Sequence, residues 1–170
     1  MGDPSRRSSL PRNLFLVFRI LVFTVFVPGT VALYLPQSLL RASPRPTLVT
    51  AAIAIPLAIA GATLYALPAW NFGAIGKGTP APWDAPRFLV PTGPYRYVRN
   101  PMYIAVVTVI VAQAILFRSV RVLEYAAAVA VMFHLAVVFY EEPTLQRAFP
   151  DQYAAYCAST PRWIPRRPRH

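Results

Sequence analysis

Apolar residues in this chain come in long runs separated by short polar breaks. Residues 14–40 and 48–72 form the first two runs, each about 25 residues long against the ~20 a helix needs to cross a hydrocarbon core. Residues 102–117 form a third, about 16 residues or roughly 24 Å as a helix. Residues 122–140 form a fourth and carry His134 within it. Turns at 41–46 and 118–121 join the members of each pair, and residues 73–100 make the one long connection. Past 140, Leu145, Phe149, Tyr153 and Tyr156 recur at near-helical spacing. That spacing predicts a helix lying on the membrane surface and interrupted at Pro150. The expected fold is therefore all-α: a polytopic membrane protein of four transmembrane helices with a C-terminal interfacial helix. Kinks are expected at Pro28-Gly29, Pro56 and Pro68.

Composition supports this reading. The 170 residues are 56% hydrophobic, with 17 Lys and Arg against 6 Asp and Glu. A net charge of +11 suggests nucleic acid in a soluble domain. Here the arginines lie between and beyond apolar runs, where bilayer orientation and anionic headgroups account for them and nucleic acid does not. Three basic residues precede the first run, four lie in the long connection and five in the tail, against two in each short turn. Both termini are thus expected on the cytosolic side of an inner or plasma membrane. No early run ends in a small-residue cleavage site, so a cleaved leader is not expected. The lone Cys157 can form no intrachain disulfide, has no metal-site partner, and reads as a helix-packing residue. No metal is expected.

The chemistry concentrates where the long connection meets the third run, in Gly93-Pro94-Tyr95-Arg96-Tyr97-Val98-Arg99-Asn100-Pro101-Met102-Tyr103. Pro101 can open a helix because a first-turn proline forfeits no intrahelical hydrogen bond. The tight turn at 118–121 makes the third and fourth runs antiparallel neighbours. Tyr95, Arg99 and Tyr103 should therefore converge with Glu141 and Glu142, although arginine and tyrosine there also serve as plain headgroup anchors. Helical spacing places His134, Val138, Glu141 and Glu142 on one stripe. Two acids at a helix C-terminus oppose the dipole and call for a cation: Arg96, Arg99 or a bound one. An ionisable His134 inside a span is a functional candidate, or else a neutral ring bonded to a backbone carbonyl.

Taken together, Gly93-Pro94-Tyr95-Arg96, Arg99-Asn100-Pro101-Met102-Tyr103, Glu141-Glu142-x-x-Leu145-x-x-x-Phe149, Tyr153-x-x-Tyr156 and Pro161-Arg162-Trp163-Ile164-Pro165 resemble the membrane methyltransferases. These are the isoprenylcysteine carboxyl methyltransferases, the phospholipid N-methyltransferases and their small bacterial relatives. The resemblance runs from about Gly76 to Pro165. With the apolar runs, it gives a chain of a basic tail (1–13), two N-terminal spans (14–72) and a methyltransferase core (73–170). It implies S-adenosylmethionine as cofactor and a lipid-like or isoprenoid acceptor drawn from the bilayer, methylated on a carboxyl oxygen or a headgroup nitrogen. By position, the implied cofactor contacts are Arg87, Phe88, Leu89, Val90 and Tyr95 in the loop. Arg99, Asn100, Pro101, Met102 and Tyr103 follow at the helix start, with Glu141 and Glu142 opposite. Glu142 and His134 are the candidate bases. A cationic sulfonium donor suits carboxylates and aromatic faces, and holding nucleophile and methyl carbon in line supplies much of the rate.

Three positions depart from the resemblance. The carboxyl methyltransferases carry an arginine one turn before the acidic pair, where this chain has Val137. Their helix-start histidine is Asn100, and their Phe-Gly in the tail is Phe149-Pro150. The missing arginine weakens a prenylcysteine acceptor, not methyl transfer. Two other classes compete. Membrane sterol reductases, which use NADPH, resemble the same C-terminal half, but two carboxylates would repel a nucleotide 2′-phosphate. A non-enzymatic membrane scaffold would use the polar cluster as anchors alone.

Overall fold

The computed structural model describes residues 24–26, 28–41, 43–75 and 92–167, and these are helical with no strand among them. A π-helical turn, Thr30–Tyr34, runs into a short helix α1, Leu35–Leu39. Helix α2, Leu48–Ile75, is the longest. A 3-10 turn, Gly93–Arg96, then leads to α3, Pro101–Leu116. Helix α4, Val120–Ala136, continues through a second π-helical turn, Val137–Glu141, into α5, Glu142–Ala148. Helix α6, Pro150–Ser159, follows a break at Phe149.

Two stretches, Leu48–Ala69 and Val120–Ala148, are long and apolar enough to cross a membrane, and Pro101–Leu116 is shorter. This is coarser than the expected four spans. Most of the first expected span (14–40) before the π-helical turn lies outside the described residues, as do the basic tail and most of the loop at 76–91. The fourth apolar stretch corrects the sequence boundary. It does not end at Tyr140, because the π-helical turn carries the helix past both acids to Ala148. Helix α2 is one helix that contains Pro56 and Pro68, the two expected kink positions. The tail breaks where expected, with Phe149 out of helical geometry (φ −141°, ψ 62°) and Pro150 as the first residue of α6.

Helices α2 and α3 pack antiparallel through small side chains. Ala54, Gly61 and Pro68, spaced by sevens, are buried on α2, and Ala105 and Ala112 are buried on α3. A β-carbon on Gly61 would sit 2.9 Å from Val109 Cγ2 and 3.1 Å from the Ala105 carbonyl oxygen. Small residues at such a seam let the two backbones approach closely. The turn from α3 to α4 closes by bonds from Ser119 N–H to Ala114 O (2.9 Å) and Arg118 N–H to Ile115 O (3.2 Å). Arg118 takes the left-handed position (φ 47°) of this helix-ending motif. Ala32, Val106, Ile110, Ala114, Val122, Ala126 and Val129 form the core between the first π-helical turn, α3 and α4. Tyr125 and Gln113 donate to the Val31 and Ala32 carbonyls of that turn, fixing it against α3 and α4.

Candidate active site

The site is built where the Pro101 end of α3 meets the junction of α4 and α5. Asn100, with non-helical backbone angles (φ −124°, ψ 55°), precedes α3, and buried Pro101 supplies its first turn with half-buried Met102 beside it. Tyr103, on the same turn, donates its phenol to Glu141 Oε1 and stacks on Phe133 at 4.5 Å between ring centroids.

Glu142 points elsewhere. Arg162 grips it with two parallel bonds, Nε to Oε1 at 2.7 Å and Nη2 to Oε2 at 2.8 Å. Arg99 Nη1 adds a third at 3.0 Å to Oε1. The same Nη1 reaches Tyr153 Oη at 3.3 Å and Cys157 Sγ at 2.9 Å. A wider π-helical turn places one extra residue in the helix, so adjacent acids at its end can serve different neighbours. The outcome is an asymmetric pair. Glu142 carries two guanidinium partners, whereas Glu141 has only a phenol and no cation among the described residues.

A strap formed by residues 161–167 closes over this cluster. Arg99 N–H donates to Pro161 O at 2.9 Å, Arg166 N–H to Tyr97 O at 3.0 Å, and Asn100 Nδ2 to Arg162 O at 3.2 Å. From α6, the Tyr156 hydroxyl donates to Tyr95 O at 2.8 Å. Trp163 Nε1 donates to His134 Nδ1 at 3.0 Å. Burial holds the Tyr95 and Tyr156 phenols well above their usual range, Arg99 opposing the shift at Tyr156, and pushes Tyr153 up to about 12. The hydrogen bond to Glu142 raises the already high Arg162 value. These tyrosines stay neutral, Tyr156 as a donor to Tyr95 O and Tyr153 as an acceptor from Arg99.

Tyr95, Arg99, Asn100, Pro101, Met102, Tyr103, Glu141 and Glu142 are thus gathered at one end of the helices. Arg87, Phe88, Leu89 and Val90 lie outside the described residues. His134 is adjacent through Trp163, and its partner is an indole rather than the backbone carbonyl that one of its two readings named. The cation expected for the acids is Arg99, joined by Arg162, while Arg96 faces solvent. The stated need for that cation requires correction: the acids sit within a continuing helix and not at a C-terminus, so burial rather than the dipole demands it. Sequence reasoning missed Tyr153 and Cys157 as partners of Arg99. Their i, i+4 spacing on α6 was the available signal.

Apolar helices packed around a polar cluster of carboxylates, arginines and phenols define a helical protein with a site at one end, compatible with a membrane. Residues 49–152, well over half the chain, match the phospholipid methyltransferase family, and the chain belongs to it. No curated protein and no solved structure matches it. The matched segment contains α3, α4 and both acids, and ends before the strap.

Proposed function

We propose that this protein is an S-adenosylmethionine-dependent methyltransferase acting on a membrane lipid, with an amine or neutral acceptor group. The observation that carries this reading is the asymmetry of the acidic pair. Glu141 is half-buried with no cationic partner among the described residues, beside a Glu142 already paired with Arg99 and Arg162. A carboxylate in that position favours a cationic ligand, and the Tyr103 and Phe133 rings beside it add faces that attract positive charge. Those residues fit a sulfonium. S-adenosylmethionine supplies an electrophilic methyl group when bound.

The chain's own residues do the rest. Tyr103 fixes the orientation of Glu141, while Arg99 and Arg162 hold Glu142 and tie the strap to it. Of the two candidate bases, Glu142 has both oxygens on guanidinium groups, and His134 gives its acceptor nitrogen to Trp163. Glu141 is then the group that opposes the positive charge a methylated amine acquires and accepts its proton. A carboxylate acceptor fits less well. Val137 is 1% exposed and supplies no cation, and the two nearby arginines are already paired with Glu142.

Labelled S-adenosylmethionine presented to the purified protein with membrane lipids or with a farnesyl-cysteine analogue tests the reading. Label should enter a lipid in a form that base does not release as methanol. Base-labile ester on the analogue alone would reject the proposed acceptor, and no transfer to either would reject the activity.

A further inference from the structure

We propose that the outer edge of the strap binds the anionic phospholipid surface of the membrane, through Arg96, Arg166 and Arg167 with Tyr97 and Ile164 between them. The Arg166 N–H to Tyr97 O bond brings two segments some seventy positions apart onto one edge. Arg96, Arg166 and Arg167 are exposed there, and none of their side chains has a partner among the described residues. The site arginines differ, since Arg99 and Arg162 are spent on Glu142. Ile164 is 72% exposed and Tyr97 46% exposed on the same edge. An exposed isoleucine beside Pro165, with a half-exposed phenol and three guanidiniums unpaired among the described residues, suits the headgroup layer: the apolar groups enter it and the guanidiniums take lipid phosphates.

Charge favours an anionic leaflet over a zwitterionic one. Of the described acids, Glu141 and Glu142 are engaged within the site and Glu124 lies at the far end of α4. Asp151 alone is left to oppose the free arginines. The strap that closes the site is therefore also the part of the chain that reads the surrounding lipid. This inference rests on the membrane setting and is independent of methyl transfer.

Trp163, within the strap, supplies the reporter. The full chain carrying Trp70→Phe and Trp83→Phe is placed in nanodiscs of equal parts phosphatidylglycerol and phosphatidylcholine, with bromine on one lipid or the other. Brominated phosphatidylglycerol should quench Trp163 at least about threefold more than brominated phosphatidylcholine, given the attraction of each arginine to an anionic surface. High salt should remove the preference in the same protein, and Arg96→Gln with Arg166→Gln and Arg167→Gln should remove it at low salt. Equal quenching by the two lipids, a preference that survives both treatments, or no quenching by either would overturn the proposal. Binding of S-adenosylmethionine, measured separately, reports on the methyltransferase reading alone.

Discussion

Arg162 and Glu142, twenty positions apart, meet as a two-pronged pair at 2.7 and 2.8 Å. Arg99 completes the clasp from the opposite side at 3.0 Å. The loop before α3, the α4–α5 junction and the strap are thereby tied to a single carboxylate. Paired guanidinium bonds of this kind are directional and stronger than neutral hydrogen bonds.

Removing the charge at the centre should release the strap before it unfolds the helices. Glu142→Gln leaves Arg99, 12% exposed, without its counter-charge, and Arg162 without its fork. A strap destabilised by about 1.5–3 kcal/mol is expected. Trypsin should then cut after Arg162 and Arg166 more than tenfold faster, with hydrogen exchange in α2 and α3 unchanged. Uniformly faster exchange through all helices would show that Glu142 supports the whole fold instead.

The same region should weaken in alkali. Burial raises Tyr153 from 10.0 to about 12, with Tyr95 and Tyr156 raised in the same direction. The folded chain keeps protons that the unfolded chain sheds above pH 10. Their contribution is complete below pH 10 and is lost as the pH climbs to about 12 for Tyr153. Melting temperature should fall across that window, and less steeply in Tyr153→Phe. An identical slope in the variant would remove Tyr153 from the account.

Gly61 should tolerate no side chain. The added carbon of Gly61→Ala would meet Val109 Cγ2 at 2.9 Å and the Ala105 carbonyl at 3.1 Å, where backbone cannot give way cheaply. A loss of about 1–3 kcal/mol is expected, larger for leucine. Ala60→Leu, one position away on the exposed face, should be nearly neutral. Equal effects at the two positions would contradict close packing of α2 on α3.

How much of this could be read from the chain varies with the range of the interaction. Pro101 announces the start of α3 by its own chemistry, and the tight turn at Arg118 forces α3 and α4 together, so Tyr103 meeting Glu141 followed from topology. The π-helical turn at 137–141 did not. Its residues are ordinary helix formers, and the extra residue is accommodated by tertiary contacts. The different partners of Glu141 and Glu142 were hidden with it. Arg162 could be named as a nearby cation, but its fork on Glu142 and the Trp163–His134 bond depend on a strap whose path is set by backbone bonds to Tyr97 and Arg99. No local pattern encodes that path. Pro56 and Pro68 both lie inside α2, as the single apolar run implied, and Pro68 is fully buried.

The most direct test of the central claim compares two ligands that differ by one methyl group and one positive charge. S-adenosylmethionine and S-adenosylhomocysteine are titrated calorimetrically into the purified protein and into Glu141→Gln. If Glu141 is the counter-charge of a sulfonium, the variant should bind S-adenosylmethionine on the order of thirtyfold more weakly, about 2 kcal/mol, and S-adenosylhomocysteine almost as before. Equal losses for both ligands, no loss for either, or binding of NADPH in their place would contradict it.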